Sequence, residues 1–162
     1  ELEKCRKPSG DSCQWYRDCV NKFNNKCANA KDEYALSYGE KYCEKFRVSY
    51  SQFSPQAQQW IDKVRKCLQQ ELAPYVGSEI FCGQLRDVAF DSHKDCYINS
   101  GLCKLKFEEQ EKVLGVVKSA FNPKSGSAGA TFWNALTAAL SPTCIGQWIG
   151  SAVADKFKDI VG

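Results

Sequence analysis

Ten cysteines, an even number, constrain this chain more than any other feature of its sequence. They are Cys5, Cys13, Cys19, Cys27, Cys43, Cys67, Cys82, Cys96, Cys103 and Cys144. So many thiols would be a liability in a reducing cytosol, whereas the same number paired as disulfides is ordinary outside the cell. The sequence starts at Glu1 with no Met and no apolar leader, which reads as a mature secreted chain after signal removal. Zinc is the competing use of cysteine. No C-x2-C pair occurs and only one His is present, so a zinc cluster has nothing to be built from. Spacing alone leaves the connectivity open, because ten cysteines can pair in roughly a thousand ways.

At 162 residues the chain is expected to form one domain with a real core, so the cross-links supplement burial rather than replace it. Lys plus Arg exceed Asp plus Glu by only three, and the two signs are interspersed along most of the sequence. That pattern sets nucleic acid aside as a partner, since phosphate binding needs a concentrated basic face. No run of about 18 apolar residues exists to span a membrane.

Strand-like alternation is nearly absent, and helical periodicity recurs throughout, so the expected fold class is all-α, a disulfide-stapled helical bundle. Trp15, Cys19, Val20 and Phe23 mark a first helix, with Asp11 or Ser12 as its cap. A second begins at Asp32 and carries Ala35, Gly39, Tyr42, Cys43 and Phe46; its glycine weakens the pattern slightly. The clearest begins at Ser54-Pro55, serine capping and proline in the first turn, and runs through Ala57, Trp60, Ile61, Val64, Cys67, Leu68 and Leu72 until Pro74 ends it. Phe81, Leu85, Val88 and Ala89 suggest a fourth, and Val113, Leu114, Val117, Ala120 and Phe121 a fifth. Trp15, Phe53 and Trp60 are expected in the core.

Residues 1–121 are thus read as the cysteine-rich bundle and the breaker-rich stretch 122–130 as a flexible linker. Residues 131–162 read as a C-terminal amphipathic helical hairpin, docked on the same single domain. Phe132, Trp133, Leu136, Leu140, Trp148, Ile149, Val153 and Phe157 exceed what such a hairpin hides in itself. They are the candidate interface or apolar-ligand residues. Packing on the bundle, on a second copy, or around a hydrophobic small molecule or lipid would each cover them. Non-covalent self-association as a homodimer is the expectation.

The intervals C-x7-C-x5-C-x7-C-x15-C-x23-C-x14-C-x13-C-x6-C-x40-C, with Tyr42-Cys43-Glu44-Lys45-Phe46, Lys66-Cys67-Leu68, Phe81-Cys82 and Cys96-Tyr97, resemble the stanniocalcin family of secreted helical glycoprotein hormones. The resemblance covers residues 5–144. It implies the pairing Cys5–Cys19, Cys13–Cys43, Cys27–Cys82, Cys67–Cys96 and Cys103–Cys144. It also implies action through an extracellular protein partner or receptor, the family being regulators of calcium and phosphate and inhibitors of pappalysin metalloproteinases. The family's extra cysteine for joining two chains has no counterpart after Cys144, and no Asn-x-Ser/Thr acceptor occurs.

No catalytic constellation emerges. His93-Lys94-Asp95-Cys96-Tyr97 has the residue types of the secreted phospholipase A2 helix, but its Asp follows the His by two residues instead of one and the Gly-rich calcium loop is missing. His93 is therefore read as a surface or capping residue. One histidine leaves no second base for a nucleophile dyad, and paired cysteines offer no thiolate. Glu108, Glu109 and Glu111 are read as solvent-facing acids of a first helical turn rather than calcium ligands. No metal or cofactor is implied. The functional expectation is a secreted, non-enzymatic, hormone-like binding protein; the alternative is a carrier of a hydrophobic ligand or a membrane-active helical protein.

Overall fold

Five α-helices and several single turns, with no strand among the described residues, make up the computed structural model, which describes residues 2–30 and 33–120. The linker 122–130, the hairpin and all eight of its candidate residues lie outside them. A short α1, Leu2–Cys5, leads into a loop and a π-helical turn, Tyr16–Asn21. A second π-helical turn, Ala35–Glu40, runs straight into α2, Lys41–Ser49. Then come α3, Pro55–Leu72, α4, Cys82–Asn99, and α5, Phe107–Ala120.

The longest helices follow their sequence signals. Ser54 sits in extended backbone and its Oγ accepts the Ala57 N–H at 3.3 Å, satisfying one of the orphan donors of α3, while Pro55 occupies the first helical position. The apolar stripe of α3 is buried along its length, with Ala57, Ile61, Val64 and Leu72 all at most 2% exposed. Pro74 lies in the 3-10 turn Ala73–Tyr75 that follows. Helix α4 packs along α3, and α5 closes over α2.

The first two predicted helices differ from expectation. Ser12 accepts from Gln14 N–H at 3.2 Å, a local turn, so the helix starts only after Trp15 and takes the π form. In the second, Asp32 lies outside the described residues and the capping role falls to Glu33, whose carboxylate accepts the N–H groups of Leu36 and Ser37 at 3.0 and 3.1 Å. The Glu33 carboxyl is pushed up by burial, an effect its N–H donors oppose.

Gly39 explains why the two π-helical turns can touch. A Cβ there would fall 2.5 Å from Cδ1 of the Tyr16 ring, closer than any real contact, so only glycine lets the second turn lie on that ring. Outside the contact, Arg17 and Glu40 form a two-pronged ion pair at 2.9 and 3.1 Å that spans the same two turns.

Four disulfides staple this frame: Cys5–Cys19, Cys13–Cys43, Cys27–Cys82 and Cys67–Cys96. Each joins segments that belong to different elements, and no described cysteine is free. Cys103 is also disulfide-bonded, whereas the expected partner Cys144 lies outside the described residues. Trp15, Phe53 and Trp60 are buried as expected, at 8%, 5% and 2% exposure.

Candidate functional site

The centre of the bundle concentrates the most chemistry. Tyr34, Tyr38 and Tyr42 recur every four residues through the second π-helical turn into α2, so their rings stack as a ladder with centroids 6.0 and 6.4 Å apart. Across from it α4 presents Phe90, His93 and Tyr97, spaced for one helical face. Phe90 meets Tyr38 edge-on at 5.1 Å, and the His93 ring lies 6.3 Å from Tyr42 and 5.7 Å from Tyr97. From α3, Trp60 donates its indole N–H to the Tyr97 carbonyl at 3.0 Å.

His93 is therefore not a surface or capping residue: it is 2% exposed, three and four residues from Phe90 and Tyr97 on the buried face of α4. Its Nδ1 lies 2.6 Å from the Ala89 carbonyl oxygen. A carbonyl oxygen can only accept, so Nδ1 carries the proton and donates. Burial lowers the imidazole pKa to about 4, and the Ala89 hydrogen bond opposes this only in part. Burial likewise holds the Tyr16, Tyr34, Tyr42 and Tyr97 phenols well above their ordinary pKa. Near pH 7 His93 and these four phenols are uncharged.

Tyr16, Tyr42, Trp60, Arg65, His93 and Tyr97 border an internal cavity of about 20 Å3. That volume holds one water and no organic molecule. Arg65 forms the wall toward the surface. One of its terminal nitrogens donates to the Asp11 carbonyl at 3.0 Å, its Nε is buried without a hydrogen-bond partner, and its charge draws the Tyr16 pKa down against burial.

On the outside, α2 and α5 flank an open groove of about 390 Å3, lined by Lys41, Glu44, Lys45, Val48, Ser49 and Val116. Val48 stands 68% exposed there. Volumes of this size suit small ligands, although the walls mix charge with two valines. Nothing in the sequence singled the groove out, because Val48 follows a charged stretch and Val116 falls outside the Val113, Leu114 and Val117 stripe of α5.

Glu109 also departs from its expected solvent-facing position. It is 8% exposed, because Lys112 reaches from the same helix to the Gln52 carbonyl at 2.8 Å and clamps the start of α5 over the loop at residues 50–53. Lys112 Nζ pairs with Glu109 Oε1 at 3.4 Å. Glu108 is exposed and Glu111 half-buried. Among the described residues no group of three His, Cys, Asp or Glu is placed to hold a metal ion, and no helix is long and apolar enough to cross a membrane.

Compared with protein-family models, curated proteins and solved structures, the chain matches none.

Proposed function

We propose that this protein is an extracellular, hormone-like binding protein that acts through its outer surface on a protein partner. The observation that carries the reading is the set of four disulfides, which tie the N-terminal turns to α2, α3 to α4, and residue 27 to the start of α4. Such cross-linking suits an oxidising compartment and fixes surface residues in place before any partner arrives. The likeness of the cysteine order to the stanniocalcins supports the same reading, and the four bonds fall in the pairing which that likeness implies. The one-water cavity argues that the bundle offers its exterior rather than its interior.

The second reading, a carrier of a hydrophobic small molecule or lipid, is favoured by the open groove beside Val48. Two measurements on the full chain separate them. Labelled protein should bind intact cells saturably, at sites destroyed by mild surface proteolysis and competed by unlabelled protein. An organic extract of protein purified from a secreting host should contain no stoichiometric lipid by mass spectrometry. Stoichiometric lipid together with non-saturable cell binding would replace the proposal by the carrier.

A further inference from the structure

The strongest unassigned feature of the surface is a cluster of cations that the sequence scatters. Gly10, at φ +87°, lies so close to α3 that a Cβ on it would fall 2.6 Å from the Lys66 nitrogen and 2.7 Å from its Cα. Backbone therefore touches backbone. Two further bonds hold the seam: Arg65 donates to the Asp11 carbonyl at 3.0 Å and Gln69 Nε2 to the Ser12 carbonyl at 2.9 Å. The Cys5–Cys19 and Cys13–Cys43 disulfides anchor the segment on both sides of Gly10.

Just before Gly10 the chain makes a turn in which Arg6 N–H donates to the Glu3 carbonyl at 3.2 Å and Lys7 N–H to the Lys4 carbonyl at 3.4 Å. Lys4, Arg6 and Lys7 are exposed around that turn; Lys63 and Lys66, three apart on α3, are exposed too, Lys66 where its backbone meets Gly10. Three residues of chain span at most about 10 Å, so Lys7 stays within about 10 Å of Gly10, which itself touches Lys66. None of these five cations forms an ion pair among the described residues. The nearby acids by chain position are Glu1, Glu3, Asp11 and Asp62, of which Glu1 lies outside the described residues and Asp62 accepts the Tyr50 hydroxyl at 3.0 Å.

We propose that this seam, built on Lys4, Arg6, Lys7, Lys63 and Lys66, is a docking surface for a sulfated extracellular polysaccharide. Flexible ammonium groups match the closely spaced sulfates of such a chain as point charges, and a disulfide-held backbone presents them with little ordering left to do. The competing polyanions fit less well. The exposed large apolar side chains among the described residues are Val48 and Phe81, and neither belongs to the seam, so it offers no wedge for a lipid surface and no ring on which a base could stack. The extracellular source of the polysaccharide rests on the function proposed above; the charge geometry does not.

The test uses the full chain and a heparin dodecasaccharide, titrated calorimetrically at several salt concentrations. The triple variant Arg6→Glu, Lys7→Glu, Lys66→Glu is compared with Lys41→Glu, Lys104→Glu, Lys106→Glu, which changes net charge equally at exposed positions elsewhere. Kd should rise about tenfold or more in the seam variant and less than about threefold in the control, and the slope of log K against log salt should shrink by about two to three only in the former. Desulfated heparin should not bind. Equal losses in both variants, or no wild-type binding at low salt, would overturn the proposal. Equal binding to phosphatidylserine-containing vesicles, with the same dependence on the seam, would overturn it in favour of a membrane. If heparin fails while protease-sensitive cell binding persists, the seam is wrong and the proposed function stands.

Discussion

Protonation of His93 sets a pH dependence of stability that can be isolated because the chain has one histidine. In the folded state its pKa is about 4, against an ordinary 6.5. Between those values the unfolded chain binds a proton that the folded chain does not, so stability rises with pH across that window. The contribution is fully present above about pH 7, is lost as pH falls from 6.5 toward 4, and is flat below. At 1.36 kcal/mol for each pH unit, the gap is worth roughly 3 kcal/mol. Urea unfolding followed by near-UV circular dichroism between pH 7.5 and pH 3.5 measures the total. Carboxylates contribute in the lower half of that range, so the His93→Leu variant supplies the subtraction. Wild type should lose about 3 kcal/mol more than the variant between about pH 7 and pH 4. The imidazole resonance of the folded protein should not titrate above about pH 5. A native imidazole titrating near 6.5, or superimposable pH profiles for wild type and variant, would refute burial as the cause; the resonance decides even if the variant folds poorly.

Two further perturbations probe the frame. Gly39→Ala forces a Cβ to within 2.5 Å of the Tyr16 ring and should cost about 1–3 kcal/mol in denaturant unfolding, an effect that Tyr16→Leu in the same chain should reduce by at least half. Replacing Cys27 and Cys82 together by Ala removes a link across 55 residues and should cost about 4 kcal/mol, against about 3 kcal/mol for Cys5 and Cys19, which are 14 apart. Thermal unfolding under non-reducing conditions checks the order, and a larger loss from the shorter loop would contradict the chain-entropy account.

Much of the architecture was legible in the linear chain, for reasons confined to a few neighbouring residues. Ser54 and Pro55 mark the start of α3 because capping and a fixed φ act within one turn, and the stripe from Ala57 to Leu72 repeats at the helical period. The cysteine count indicated a stapled protein, but only the likeness of cysteine order, not spacing itself, implied the pairing seen in four bonds.

What the tertiary structure alone decided depends on partners distant in sequence. The core stripe of α4 runs from Leu85 and Ala89 through Ser92 and His93 to Cys96, and two polar residues in that run concealed that it continues. His93 is buried because Tyr34, Tyr42 and Trp60 come from other elements, which no local period reveals. Gly39 read as a weak point of a helix until the Tyr16 ring was seen against it. Charge followed the same logic: Lys7 and Lys66 are unremarkable among interspersed acids along the chain, and the segment that carries Lys7 meets α3 at Lys66 only because Gly10 lets the two backbones touch. Sequence determines whatever acts within a turn of helix, such as periodicity, caps and breakers; burial and electrostatic clustering are properties of the space that several segments enclose together.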